Sequence, residues 1–437
     1  MKISSFQDAP SLGQKMYSLA EELFPICRSI TGDGVRKTLS ILKRENSNLK
    51  IYSINSGEKC FDWTIPNEWN VFDAYIANLE GQKIVDFTNN NLHLVGYSEP
   101  IDQVITRDEL DKHLHSRSDL PEAIPYITSY YKSAWGFCLT HNQRCQMNDE
   151  KYKVKIESSL SSGALNYADI VFTGKSSEEI LISTYICHPS MANNETSGMV
   201  VAIELARFVE SLSDRYYTYR FVFVPETIGA VAYISRNLDE LKKNVVAGFV
   251  ITCVGDNLSY SFLPTRKGNT LADRVAKHVI DKVLNEDFKF YTFLDRGSDE
   301  RQYCAPGIDL PVVSLMRSKY GEFSEYHTSL DNLDFISPDG LLGGFRINRL
   351  CIECLEANYK LQTTVTCEPF LAPRGLRPSL INGVSLVDWS KNLSDLLAYA
   401  DGETDLIAMA ETFDKSIFEL LPIVQSLMSF GLIKDLR

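Results

Sequence analysis

Residues 179–212 read EILISTYICHPSMANNETSGMVVAIELARFVESL, and this stretch decides the fold. Its opening, Glu179–Ile186, is a short and nearly continuous apolar run, the pattern of a strand covered on both faces of a sheet. A polar segment, CHPSMANNETSG, comes next, and SGMVVAIELARFVESL then carries its apolar residues at helical spacing. The same alternation recurs downstream. YRFVFV precedes the helical IGAVAYISRNL, and NVVAGFVITCV precedes TLADRVAKHVIDKVL. FKFYTFL and LPVVSLM follow as strands, and GLLGGFRINRLCIECLEANYKL closes the series as a helix. Strands and helices alternating at these lengths predict an α/β fold, a mostly parallel sheet with helices on both faces.

The flanks differ in character. Residues from about Ser11 to Arg44 show helical spacing at Met16, Leu19, Leu23 and Ile26, so residues 1–50 are expected to join residues 163–363 in one domain. Residues 51–162 are strand-like and broken by turn signals at Gly81 and Asn89–Asn91, which predicts an inserted β-rich domain. PFLAPRGLRPSL, residues 369–380, reads as a linker. Residues 364–437 form a third unit with three short amphipathic helices, of which LLPIVQSLMSFGLI resembles the last helix of a winged-helix domain.

Composition narrows the setting. Of 437 residues 44% are apolar, yet no run is long and apolar enough to span a bilayer, and the first residues lack the apolar stretch of a secretory signal. The ten cysteines are scattered, and the CxxC at Cys351–Cys354 has no second pair at zinc-site spacing. Core thiols in a reducing cytoplasm fit this usage. A net charge of −13 disfavours nucleic acid as a partner, and no membrane partner is expected. The C-terminal unit lacks a basic footprint as well, since residues 366–437 hold six Lys or Arg against ten Asp or Glu. Its expected role is protein contact, within the chain or in a homo-oligomer.

In open α/β sheets, sites form at the carboxyl ends of the strands. His188, Asn194 and Glu195 follow the first of these strands, Glu226 the second and Asp256 the third, while Arg317, Glu325 and His327 follow LPVVSLM. Imidazoles and carboxylates at such ends suit a metal, and a carboxylate beside metal-bound water suits a general base. Asp299 and Arg301 of GSDERQYC add candidate substrate contacts, and the arginines, Arg317 included, suit a substrate carboxylate. The other histidines, at 93, 113, 115, 141 and 278, carry no such placement.

Together these landmarks resemble the zinc exopeptidase superfamily of bacterial aminopeptidases, glutamate carboxypeptidase II and glutaminyl cyclase. The match is closer to a bacterial aminopeptidase-like branch found among surface-polysaccharide biosynthesis genes. It runs through NEWNVFDAYI, PYITSYYKSAWGFC, HPSMAN, PETIG, VGD, GSDERQYCAPG and SEYHTSLDNL to the winged-helix-like C-terminus. The resemblance implies His188, Asp256 and His327 as metal ligands and Glu226 as general base. It also marks two departures. The superfamily's metal-bridging aspartate, four residues before Gly198, is Asn194, and its second glutamate is Thr227. Losing both anions argues against two adjacent zinc ions. The expectation is therefore one zinc, held by His188, His327 and either Asn194 or Asp256, in a hydrolase acting on an amide or peptide bond of a small substrate. The alternative is a metal-deficient, ligand-binding pseudoenzyme.

Overall fold

The computed structural model describes residues 10–284, 286–376 and 384–437, without the side chains of residues 384–388. Residues 377–380 of the expected linker lie outside them. An eight-stranded mixed sheet forms the centre, with strands β1 (Lys50–Asn55), β2 (Ala164–Phe172), β3 (Glu179–Tyr185), β4 (Thr218–Val224), β5 (Val245–Val250), β6 (Tyr260–Leu263), β7 (Phe288–Phe290) and β8 (Val312–Met316). Their order is β1-β2-β4-β3-β5-β8-β6-β7. The middle four strands are mutually parallel, while β1 and β2 add antiparallel on one side and β6 antiparallel on the other.

Strand β3 lies at the centre, with every residue buried, which is why its sequence barely alternates. Ile180 and Ile182 point into the core formed with helices α1 (Pro10–Leu23), α2 (Asp33–Glu45), α3 (Ser197–Ser211), α5 (Leu271–Lys282) and α6 (Pro338–Ala357). Leu181 points to the opposite face, covered by α4 (Ile228–Asn244) and by the inserted domain. That domain is built on an antiparallel sheet of Lys83–Asp86, Glu68–Ala77, Lys151–Ser161 and Ile101–Thr106, in this order. Strand β1 falls inside the expected insertion yet pairs with β2 as an edge of the main sheet.

The C-terminal unit contains α7 (Val384–Tyr399), α8 (Leu406–Thr412), α9 (Ile417–Ser429) and three short strands, Asp401–Asp405, Lys360–Thr363 and Ile433–Asp435. The strand Lys360–Thr363, just before the expected boundary at 364, is the middle one. Leu420, Ile423, Val424 and Leu427 of α9 belong to the same continuous core as Leu355 and Ile352 of α6. Polar contacts fasten the junction. Arg274 holds Asp405 through two bonds of 2.8 and 2.7 Å, and Ile417 N donates to His278 Nε2 at 2.9 Å. All ten cysteines are free thiols, with Cys351 and Cys354 buried in α6. Among the described residues, no helix is long and apolar enough to cross a membrane.

Candidate functional site

The parallel strands β4, β3, β5 and β8 end on one side of the sheet, and their following loops gather the chemistry there. Behind β3, the segment Ala192–Thr196 forms one π-helical turn before α3, a local irregularity frequent at functional sites. Asp331 fixes this turn, because its carboxylate accepts Asn193 N at 2.6 Å and Asn194 N at 2.9 Å. Gly198 lets α3 start close against the sheet. A Cβ there would meet Ile251 O at 2.5 Å and Thr184 Oγ1 at 2.6 Å.

His188 is buried and held from one side only. Its Nδ1 shares a 2.6 Å hydrogen bond with Glu195 Oε2, which also accepts His188 N at 2.7 Å. The buried Arg28 completes the arrangement, donating from Nε to Glu195 Oε1 at 3.2 Å and to His188 O at 2.9 Å. With Nδ1 fixed by a carboxylate, Nε2 is left to face the cavity, where Glu226 Oε2 lies 3.7 Å away. Burial alone would favour the neutral ring, but Glu195 outweighs it and His188 titrates above its ordinary value. His327 is the opposite case. Burial and the neighbouring His188 lower it to about 3, so it is neutral at physiological pH, and its buried Nε2 has no hydrogen-bond partner. The two rings sit 5.4 Å apart between centroids, and Tyr126 packs against both.

Glu226 completes the floor. Burial raises its pKa, with His188 and Arg301 acting in the opposite direction. Asp299 is pushed well up by burial and by Glu226, and its Oδ1 accepts Thr227 N at 2.7 Å. Arg301 Nη2 donates to Thr227 Oγ1 at 2.6 Å. Backbone strain concentrates here, as Ser190, Thr227, Cys253 and His327 take φ values of 46°, 64°, 51° and 54°. Such conformations cost side-chain-bearing residues on the order of 1–3 kcal/mol each and cluster at working sites.

These groups open onto a cavity of about 370 Å³. The inserted domain supplies much of its wall through Trp63, Tyr126, Tyr130 and Tyr131. It also braces the loop carrying His327, since Tyr126 N donates to His327 O at 2.9 Å and Ser329 N to Ile124 O at 2.9 Å.

The structure therefore brings His188, Glu226, His327 and Arg301 together, with Asn194 and Asp299 just behind. It keeps three expected residues apart. Asp256, expected as a ligand, spends its carboxylate within the protein, on Asn193 Nδ2 at 2.8 Å, Ser318 N at 2.9 Å, Ser318 Oγ at 2.7 Å and Leu258 N at 2.9 Å. The reason lies in the chain path. The loop after β5 turns at Cys253, and Cys253 and Thr252 rather than Asp256 approach Asn194. Arg317, expected at the substrate, donates to Asp256 O at 2.7 Å and stacks on Tyr260 at 3.8 Å. Glu325 does not line the cavity, and its carboxylate accepts from the adjacent Ser324.

Sequence reasoning missed the roles of Arg28 and Asp331, and left Glu195 without a direction. Only the acidic residue seven positions after His188 offered a signal; Arg28 lies 160 residues away in the chain.

The donor set fits one ion. His327 offers a neutral nitrogen, and His188 offers one once its ring gives up the proton that Glu195 helps it hold. Glu226 stands beside them, and Asn194 holds its Oδ1 toward Tyr185 and Cys253 while its Nδ2 lacks a partner. It does not fit two, because Glu195, Asp256 and Asp331 are all engaged elsewhere. Cys187, His188 and Glu195 also have donor atoms within 4.8 Å of one another. That trio lies on the Nδ1 side, where Glu195 already bonds His188 and Arg28 and where burial drives the Cys187 thiol strongly up, so it suits a metal poorly.

Comparison with known proteins places this geometry. The profile of a family described as a domain of unknown function, DUF4910, matches residues 17–358, and a winged helix-turn-helix profile matches residues 359–435. A Clostridium acetobutylicum protein named for polysaccharide biosynthesis with an aminopeptidase-like domain is 43% identical over 405 residues, 92% of either chain. A crystal structure of a C. acetobutylicum protein described as a peptidase superposes with a TM-score of 0.91 at 40% identity, covering 98% of this chain and 97% of the other. The zinc aminopeptidase of Bacillus subtilis shares the fold at 13% identity, with a TM-score of 0.58 over 80% of this chain and 95% of that one.

Proposed function

Because this chain belongs to the DUF4910 family and carries an aminopeptidase-like fold, we propose that it is a mononuclear zinc-dependent hydrolase of an amide or peptide bond in a small substrate. One observation carries the proposal. His327 presents a buried, neutral and unpartnered Nε2 to the same cavity that His188 faces with Nε2, the latter fixed by a carboxylate on its other nitrogen. Carboxylate-backed histidines of this kind are the usual form of zinc ligands.

In this reading His188 and His327 hold the ion, with Asn194 Oδ1 as a further donor. When bound, zinc would supply Lewis acidity toward the amide carbonyl and lower the pKa of a bound water. Glu226 takes the proton as water adds to the carbonyl carbon and returns it to the departing nitrogen, so that amide and water become carboxylic acid and amine. Burial raises the basicity of Glu226, as this role requires. Tyr126 and the loops of the inserted domain orient the substrate and exclude bulk water. A cytoplasmic setting and a part in surface-polysaccharide metabolism belong to the same proposal, as do a homo-oligomeric state and a C-terminal unit used for protein contact rather than nucleic acid.

The alternative, a ligand-binding protein without metal, is favoured by one observation: an amide stands at Asn194 and Asp256 is engaged elsewhere. Zinc per chain in protein purified without chelator or metal-affinity tag separates the two. About one zinc, lost in both His188→Ala and His327→Ala, is the expected result. Absence of zinc even after reconstitution would overturn the hydrolase in favour of the binding protein.

A further inference from the structure

The cavity contains a cation that forms no ion pair among the described residues. Arg301 lines it beside Glu226 and Thr227, and its single hydrogen bond goes to a neutral hydroxyl, Thr227 Oγ1. Its Nε is buried without a partner, and among the described residues no carboxylate comes within 4.0 Å of its guanidinium. Glu226 and Asp299 lie near enough for their charges to be felt, yet neither forms the ion pair. Arg28 is held by Glu195 and by the carbonyls of His188 and Leu23, while Arg317, which does not line the cavity, donates to Asp256 O and stacks on the Tyr260 ring. Arg301 is half-buried, and its buried, unpartnered Nε carries a desolvation cost that an external anion would offset.

We propose that Arg301 is the specificity anchor of the site and binds a carboxylate on the substrate. The substrate class is then an N-acylated, carboxylate-bearing small molecule of the N-acyl amino acid type, not a peptide with a free amino terminus. Two further features agree. The planar guanidinium fork matches a carboxylate in bidentate fashion, and the neighbouring Thr227, held at φ 64°, keeps its hydroxyl on that fork instead of offering an acid to an ammonium group. The cavity, at about 370 Å³, has the size of a small-molecule site, and its walls of Trp63, Tyr126, Tyr130 and Tyr131 would pack the apolar part of such a ligand. The hydrolytic half of this inference rests on the zinc-hydrolase reading; the anchoring half does not.

The test measures binding by calorimetry, using N-acetyl-L-tyrosine and its uncharged carboxamide, on zinc-loaded wild-type protein. A second arm uses Arg301→Met and Arg301→Gln, and acetate release is followed separately. The expected preference for the acid over the carboxamide is about tenfold or more, as for other charge-assisted contacts. Either variant should lower acid binding to the level of the carboxamide, whose own binding stays unchanged and so reports an intact pocket. Equal binding of the two compounds to wild type, no binding of either at millimolar concentration, or a preference that survives in both variants would overturn the anchor. Acetate release without any acid preference would remove the anchor and leave the hydrolase. A clear preference with no release would retain the anchor and remove the hydrolase.

Discussion

Replacing Glu195 with glutamine tests whether its carboxylate sets the direction of His188. Glu195 accepts from His188 Nδ1 at 2.6 Å, from His188 N at 2.7 Å and from Arg28 Nε at 3.2 Å, using both oxygens. Glutamine has one acceptor and must present its NH2 group to one side. Toward Arg28 it opposes two donors, leaving a buried guanidinium short of its counter-charge. Toward His188 it demands a lone pair at Nδ1, which moves the ring proton to Nε2 and removes the nitrogen that faces the cavity. Breaking a buried ion pair costs about 3–5 kcal/mol, so the midpoint of urea unfolding should fall markedly. Partners of this kind change metal affinity by about 10–100-fold, or roughly 1.4–2.7 kcal/mol. Zinc competition against a chromogenic chelator measures the second quantity and urea unfolding the first. Zinc affinity within a factor of about three of wild type, in a variant that has lost the expected stability, would refute the orienting role and leave Glu195 a purely structural partner of Arg28.

Two other predictions address neighbouring parts of the molecule. His278 is driven down to about 4 by burial and then by Lys282 and Arg274 while its Nε2 accepts Ile417 N. Its folded pKa lies below the unfolded value near 6.5, so the stabilisation is complete above that value and is lost as pH falls toward 4. Stability should drop by about 3 kcal/mol across that window, and His278→Gln should flatten the dependence; an unchanged slope in the variant would assign the effect to other groups. Asp256→Ala should cost about 3 kcal/mol in chemical denaturation, since the amides of Ser318 and Leu258 lose their buried acceptor. Zinc content should stay at wild-type level, whereas zinc loss with unchanged stability would restore Asp256 as a ligand.

How far the sequence could be read depended on the range of each interaction. Strand β3 was legible because its pattern reflects burial on both faces, a property local to seven residues. His188 and Glu226 were legible for a related reason: each follows directly on a buried strand, and a parallel sheet delivers such positions to one edge. Asp256 satisfied the same rule and yet faces inward, because the turn at Cys253 redirects the chain after β5, and nothing in ITCVGD signals that turn. The two arginines were indistinguishable in sequence and differ in the structure only through partners that arrive from elsewhere, Tyr260 for Arg317 and Thr227 for Arg301. Arg28 was beyond reach, since its role depends on Glu195, which lies 167 residues downstream. The aromatic wall from the inserted domain was visible as composition but not as a contact with the His327 loop.

The division between the two matching families falls between residues 358 and 359, inside the turn that joins α6 to the strand Lys360–Thr363. It is a boundary of descent and not of energy. Leu420 and Val424 share a core with Leu355, and Arg274 and His278 of the first unit hold Asp405 and Ile417 of the second. Cutting there would strip an apolar face from α6 and α5 and leave it in water. The winged unit is thus less a passenger than the outer half of a shared interior, packed on the aminopeptidase-like half through one continuous core.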